Sequence, residues 1–257
     1  MSNLRHVLFV ALLASSCTSL SVIPRYGELN LDGHLGINST SSGASGTNDL
    51  KDAGLQDDTS VLSGRVDLEV GGMHSTFALS DSSHDGSGTL QADVSDGTTT
   101  IPAGTAVDSK LDVLMGEAIV TWDLVPGDTV EVGLGLGASV VDIDAAFDAP
   151  SLSASVATQQ TVPIPLVALR AGVEFGSFDA SALLGGMELH AGGDDLTYVD
   201  LDFMARLKIF GAVGRRIGAI VAGYRYVDLN AKYEDSNANI DAEMRFTGPY
   251  IGLSIGF

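Results

Sequence analysis

Apolar and wettable positions alternate with period two through most of this chain. The pattern is plainest in Tyr250-Ile-Gly-Leu-Ser-Ile-Gly-Phe257. Ile251, Leu253, Ile255 and Phe257 share one parity, and Tyr250, Gly252, Ser254 and Gly256 share the other. Successive side chains of a strand point to opposite faces, so this stretch has one greasy face and one small or wettable face. Residues 129–141 repeat it: Val130, Val132, Leu134, Leu136, Ala138 and Val140 interleave with Glu131, Gly133, Gly135, Gly137 and Ser139. Residues 197–210 do so again, with Val199, Leu201, Phe203, Ala205, Leu207 and Ile209 opposite Tyr198, Asp200, Asp202, Met204, Arg206 and Lys208. Read along the chain, the alternation predicts ten strands, at 26–37, 61–70, 74–81, 107–124, 129–141, 162–175, 178–189, 197–210, 217–232 and 241–257. The third and seventh are the weakest, and dropping them leaves eight as the alternative. Parity slips near 114–116, which predicts a bulge. Pro163 and Pro165 mark the entry to a strand, where proline is tolerated.

The connections are unequal. Long polar stretches follow the odd-numbered strands and short turns such as Gly71-Gly72 follow the even ones, so all long loops fall on one side. Composition then decides what the greasy parity faces. The chain has 257 residues and is 45% hydrophobic, with mean hydropathy +0.24. Past the amino terminus, no apolar run reaches the roughly 18 residues a membrane helix needs. Lipid admits only helices and closed barrels, because every backbone polar group must be satisfied internally. The expectation is therefore all-β: a transmembrane antiparallel up-and-down β-barrel of ten strands, apolar parity outward. A soluble β-sandwich is the alternative, and it gives no reason for one-sided loop lengths.

Charge narrows the partners. With 13 Lys+Arg against 33 Asp+Glu the formal net charge is −20, which excludes nucleic acid as a partner because phosphate binding needs cationic density. Most of the acid falls in the long loops, where it solvates them. At the amino terminus, residues 1–21 read as a secretory signal, with Arg5 and His6 before an apolar run at 7–14. Ala14-Ser15-Ser16-Cys17 resembles a lipobox ending at a lipidated Cys17, although Leu13 stands one place early; an ordinary cleavage site in the same small residues competes. Residues 22–257 are then the barrel. Cys17 is the single cysteine, so no internal disulfide forms.

Four pieces together carry a resemblance: Val130-Glu-Val-Gly-Leu-Gly-Leu-Gly137, Val162-Pro-Ile-Pro-Leu166, Ala222-Gly-Tyr-Arg-Tyr226 and Gly248-Pro-Tyr-Ile-Gly-Leu253. In this order, ahead of the terminal Phe257, they resemble the small outer-membrane β-barrel proteins of Gram-negative bacteria. The resemblance implies a monomer in the cell outer membrane, in contact with its lipids and lipopolysaccharide. It also implies insertion by the barrel-assembly machinery, with Tyr250, Leu253, Ile255 and Phe257 as the terminal assembly signal. The long loops then lie outside the cell. The resemblance implies no single activity, since such barrels host pores, adhesins, proteases and lipid A-modifying enzymes.

The chemistry with the best claim is the inward parity. It is expected to line a lumen with Asp32, Arg65, Asp67, Glu69, Lys110, Asp112, Glu131, Arg170, Glu174, Asp200, Asp202, Arg206, Lys208 and Arg225. Both signs are present, so the set reads either as a structural ion-pair network or as the wall of a narrow pore. His34 beside Asp32 reads as a hydrogen-bonded structural residue. A protease-like site would draw on His84-Asp85, His190 and Asp194-Asp195 in the outer loops. A lipid A deacylase would need a Ser/His couple, and His74-Ser75 sits on the wrong side. Gly133-x-Gly135 is no phosphate loop, since no helix start follows it. The expectation is a non-enzymatic barrel without cofactor or metal, acting as a narrow small-solute pore or structural membrane protein with acidic outer loops. An enzyme or an adhesin is the alternative. One tension remains in the last strand: Glu243 and Arg245 share the lipid-facing parity. Either Gly248-Pro249 hosts a bulge that resets the faces, or the strand above it stands clear of the bilayer.

Overall fold

The computed structural model describes residues 19–39, 46–55, 58–125, 129–191, 194–212, 215–234 and 238–257. The strands are β1 (Ser19–Ser39), β2 (Asn48–Asp49), β3 (Asp58–Val70), β4 (Met73–Thr89), β5 (Val94–Ser95), β6 (Thr100–Ile101), β7 (Ala106–Val125), β8 (Val130–Ala149), β9 (Ala154–Phe175), β10 (Phe178–Ala191), β11 (Asp194–Ala212), β12 (Arg215–Glu234) and β13 (Ala238–Gly256). Apart from the short pieces β2, β5 and β6, each strand pairs antiparallel with the next, and β13 pairs back onto β1. That closes a barrel of ten staves, and leaves almost no free edge.

The register sets the tilt. Following cross-strand partners from Leu20 through Leu68, Ser75, Val120, Leu136, Val167, Gly186, Val199, Asp228 and Arg245 returns to β1 at Asp32. A circuit thus climbs from residue 20 to residue 32. At ~3.3 Å per residue along a strand and ~4.8 Å between strands, this climb tilts the staves by about 40°.

Each stave carries two opposite chemistries along its length. Toward the short-turn end the outward side chains are apolar and exposed: Leu62, Phe77, Leu136, Phe203 and Ile251 are examples. On β8 this outward run extends from Val130 to Val140, which at the same rise and tilt is roughly 25 Å tall. Farther up, the outward positions turn polar on every stave, at Glu28, Ser60, Asp81, Asp112, Asp142, Thr161, Glu188, Thr197, Asp228 and Thr247. Inside, the order is reversed. Charged and hydroxyl side chains fill the lower interior, and Leu29, Leu31, Leu111, Ile143, Phe147, Ile164, Met244 and Phe246 form a buried apolar core in the upper one.

This inversion corrects several expectations. Register runs unbroken through 114–116, from Met73↔Trp122 to Thr89↔Ala106, so no bulge lies there. What changes is the medium outside: on the outward parity of β7, Asp108, Lys110 and Asp112 give way to Leu114, Ala118 and Val120. The observed irregularities sit at 123–125 and 208–211 instead. Likewise β13 has no bulge at Gly248-Pro249, and Glu243 and Arg245 belong to the polar upper zone. Two of the long loops are mostly strand. β8 continues to Ala149 and β9 starts at Ala154, so Pro163 and Pro165 lie inside β9 rather than at its entry. β4 runs to Thr89 and carries His84 and Asp85. The barrel also begins earlier than residue 22, since Leu20 and Phe257 exchange two backbone hydrogen bonds. Cys17 lies outside the described residues.

The lower turn Gly71-Gly72 has φ of 55° and 81°, the left-handed pair that a two-residue hairpin turn requires. The outer mouth is covered. Where β3 stops at Asp58, residues 46–55 take its place between β1 and β4. They approach so closely that a Cβ on Gly86 or Gly88 would meet the backbone of Gly54 or Asp52 at 1.8 and 2.2 Å. The β5–β6 hairpin crosses the mouth, touching β1 on one side and β9 on the opposite side, with Leu90, Val94 and Ile101 buried beneath. Asn48 Oδ1 joins the two covers, accepting the backbone N–H of Gln91 at 2.7 Å and of Ala92 at 2.9 Å.

The two zones predict opposite responses on one face of one strand. Leu136→Arg, in the apolar belt of β8, is expected to cost about 2–4 kcal/mol when the barrel unfolds reversibly from a lipid bilayer. Ala146→Arg, on the same outward parity above the boundary, is expected to change stability by less than about 0.5 kcal/mol. Equal losses at the two positions would contradict the placement of the boundary.

Candidate functional site

The lower interior is where charged chemistry gathers. Its centre is the Asp202 carboxylate on β11. It accepts a hydrogen bond from Arg25 Nη1 at 2.8 Å, from Arg65 Nη1 at 3.0 Å and from the Tyr250 hydroxyl at 2.5 Å. Four staves, β1, β3, β11 and β13, thereby meet on one side chain. Arg25 also lies over the Tyr250 ring at 4.5 Å. Arg65 donates through Nε to Asp67 at 2.7 Å, and Thr76 donates to the same carboxylate at 2.8 Å. Beside this group Arg225 donates to Asp200 at 2.7 Å and to Ser80 Oγ at 2.9 Å, and the Tyr198 hydroxyl donates to Asp200 at 3.2 Å. Arg25, Arg65, Arg225, Asp200 and Asp202 are all buried. Buried charge persists only when paired and hydrogen-bonded, and each of these groups is. Glu117 faces the same cluster from β7.

Nearer the short-turn end a second tier lines a cavity of ≈ 1080 Å³. Arg170 pairs with Glu131 and, at 2.7 Å, with Asp123, which His74 also approaches at 3.3 Å. Arg206 pairs with Asp179, and Lys208 reaches Glu174 at 2.9 Å and Asp179 at 3.1 Å. Ser19 donates to Glu69 at 3.0 Å. Gly133, directly between Asp123 and Arg170 in the ladder, is the inward glycine over which Arg170 reaches. The chamber ends upward at the Arg65 group; above it the interior is apolar.

Of the side chains expected in the lumen, Arg65, Asp67, Glu69, Glu131, Arg170, Glu174, Asp200, Asp202, Arg206, Lys208 and Arg225 stand on inward positions. Asp32, Lys110 and Asp112 do not. They point outward in the upper zone, where Lys110 and Asp112 pair with each other at the surface. Their strands keep one parity throughout, so polar side chains that looked inward are simply on the watered outside. His34 is outward too, between Asp241 at 3.7 Å and Glu243 at 3.9 Å. Arg25, His74, Glu117, Asp123 and Asp179 complete the interior set and were not anticipated as a group. Glu117 and Asp123 share one parity of β7 with Thr121, opposite Ala118, Val120 and Trp122, and that alternation is the signal that could have found them; Arg25 precedes the expected start of its strand.

In the terminal strand Leu253, Ile255 and Phe257 are exposed on the outer face, while Tyr250 turns inward to Asp202. The histidines of the protease-like reading do not converge: His84 is buried inside against Phe246, whereas His190 is on the outer surface between Glu188 and Asp195. The Asp194 side chain lies outside the described residues. Among the described residues, no group of three His, Cys, Asp or Glu is placed to hold a metal ion.

No protein-family model matches the chain, and no curated protein does. Solved structures similar to it are outer-membrane barrels and autotransporter domains. The translocator domain of autotransporter NalP from Neisseria meningitidis is 12% identical, over 99% of this chain and 95% of that one, at TM-score 0.41. The transport unit of autotransporter AIDA-I from Escherichia coli is 8% identical over 97% of each chain, at TM-score 0.42. The toluene transporter TodX of Pseudomonas putida is 8% identical over 96% and 92%, at TM-score 0.35. Likeness at this level decides nothing about activity, and the fold rests on the closed ladder itself.

The centre of the network is expected to be its weakest point to mutation. Asp202→Ala leaves the buried Arg25 guanidinium without its carboxylate and Arg65 with Asp67 alone, and should cost about 3–5 kcal/mol in equilibrium unfolding. Asp228→Ala, which breaks the more exposed pair with Arg245 in the upper zone, should cost less than about 1 kcal/mol.

Proposed function

We propose that the chain is a sealed outer-membrane barrel: non-enzymatic, monomeric, and structural rather than solute-conducting. The placement in a membrane rests on the outward apolar belt. Its height of roughly 25 Å matches the apolar band of such barrels, and side chains such as Leu62, Leu136 and Ile251 stand exposed on it. The preference for a sealed barrel over a narrow pore rests on one observation: the upper interior is a packed apolar core, with Leu111, Val113, Val156 and Ile164 at 0% exposure, under the β5–β6 cover. Ions cross such a region only by shedding their hydration, which is prohibitive in an apolar medium. The charged lower interior is then a rigid ion-pair filling open toward the periplasm.

Lipopolysaccharide and outer-membrane lipids are the neighbours this reading implies. Contact with the barrel-assembly machinery during insertion fits the exposed Leu253, Ile255 and Phe257. The −20 net charge argues against nucleic acid. A non-enzymatic role is supported by the dispersal of His84 and His190 to opposite sides of the wall, since nucleophile, base and orienter must converge.

Planar-bilayer recording tests the sealed state. Folded protein that migrates in heat-modifiable form should leave the bilayer closed at high load. Regular step conductances from the unaltered chain would overturn the proposal in favour of a pore.

A further inference from the structure

One edge escapes the closure of the barrel. The ladder between β9 and β10 ends at Val167↔Gly186, yet β9 continues to Ala154 with β8 as its one ladder partner among the described residues. Among the described residues, 154–166 therefore have a strand partner on one flank only. Pro163 and Pro165 stand at the foot of this edge, where missing donors do no harm. Above them the backbone flank of 154–162 is unmatched, and Gln159, Gln160 and Thr161 are exposed.

Proteins usually guard such an edge with charge, lysine above all. Here residues 149–169 contain no charged side chain, in a chain of net charge −20. The charge lies to either side. Asp144 and Asp148 face outward on β8, directly opposite Asp112 and Asp108 of β7, so four carboxylates share this face with one cation, Lys110, which pairs with Asp112. Across the split, Glu188 and Asp195 flank His190. An unpaired backbone edge favours an extended segment, and carboxylates on both sides favour a cationic one. A second copy of this acidic chain is disfavoured by the same charge.

We propose that the free edge of β9 is a docking strip for an extended peptide bearing lysine or arginine at alternate positions. The peptide adds as a strand through backbone hydrogen bonds, and its cations are held by the flanking carboxylates. The proposal rests on this end standing outside the bilayer, but not on whether the barrel conducts.

Its test uses the full folded chain in detergent micelles and a fluorescent peptide of about ten residues, alternating threonine and lysine. Fluorescence anisotropy should report binding. The same peptide methylated on alternate backbone nitrogens keeps its charge but cannot join a ladder; it should bind about tenfold more weakly or worse, as should an alternating threonine–glutamate peptide. Ala157→Pro with Gln159→Pro, on the same backbone parity as Pro163 and Pro165 and so facing the open flank, should lose a similar factor while keeping heat-modifiable migration. If that variant does not fold, Asp144→Lys with Asp148→Lys leaves the backbone intact and should show the same loss. Absence of binding overturns the proposal. So does equal binding of the methylated peptide, which means adsorption to the acidic face alone.

Discussion

The constraint on which this structure depends is that one continuous backbone ladder passes through two media. Backbone N–H and C=O groups have no alternative partner in lipid, so the ladder must close on itself. The β1–β13 pairing does that. Once closed, the ladder can continue upward into water without a change of register. Only the side chains change, and they change on both faces near one level. Outside, Leu114 yields to Asp112 and Pro249 to Thr247 and Arg245; inside, the Asp202 network yields to Phe246 and Met244.

The reversal follows from burial. In the lower zone the outer surface already satisfies its apolar side chains with lipid, so the interior is free to hold charge if every charge is paired. Arg25, Arg65, Asp202 and Tyr250 do this across four staves, and tie together strands that are far apart in sequence. In the upper zone water is outside, and the hydrophobic effect again drives apolar side chains inward. The barrel there is organised like a soluble one, with loops 46–55 and 90–105 contributing Leu50, Leu55, Leu90 and Val94 to its core. A sealed mouth is a consequence of that packing. The unpaired flank of β9 is its by-product: β8 and β9 rise higher than the β10–β11 hairpin beside them.

Much of the fold was legible in the alternation of residues. Ten staves, their order, and the lipid-facing sets of β8, β11 and β13 follow from period two together with Gly71-Gly72 and the terminal Ile251–Phe257 run. The interior set was legible where the side chains themselves stand in the lower zone, as for Arg65, Asp67, Asp200, Asp202 and Arg206. It failed at Asp32, Lys110 and Asp112, because a rule of apolar outward and polar inward was carried past the level where the solvent changes. The same rule created the apparent slip at 114–116 and ended β8 too early, although Val141, Ile143, Ala145 and Phe147 still alternate with Asp142, Asp144 and Asp148.

By itself the sequence determined the period of the chain, the strand count, the sidedness of the long connections, and which residues share a face. These are local properties, written in neighbours two apart. Only the tertiary structure decided which face is inside at each height, which charges meet at Asp202, that the outer mouth is covered, and that β9 keeps an open flank. Those depend on how far each stave rises past its neighbours in a tilted, closed ladder, and no stretch of sequence carries that information alone.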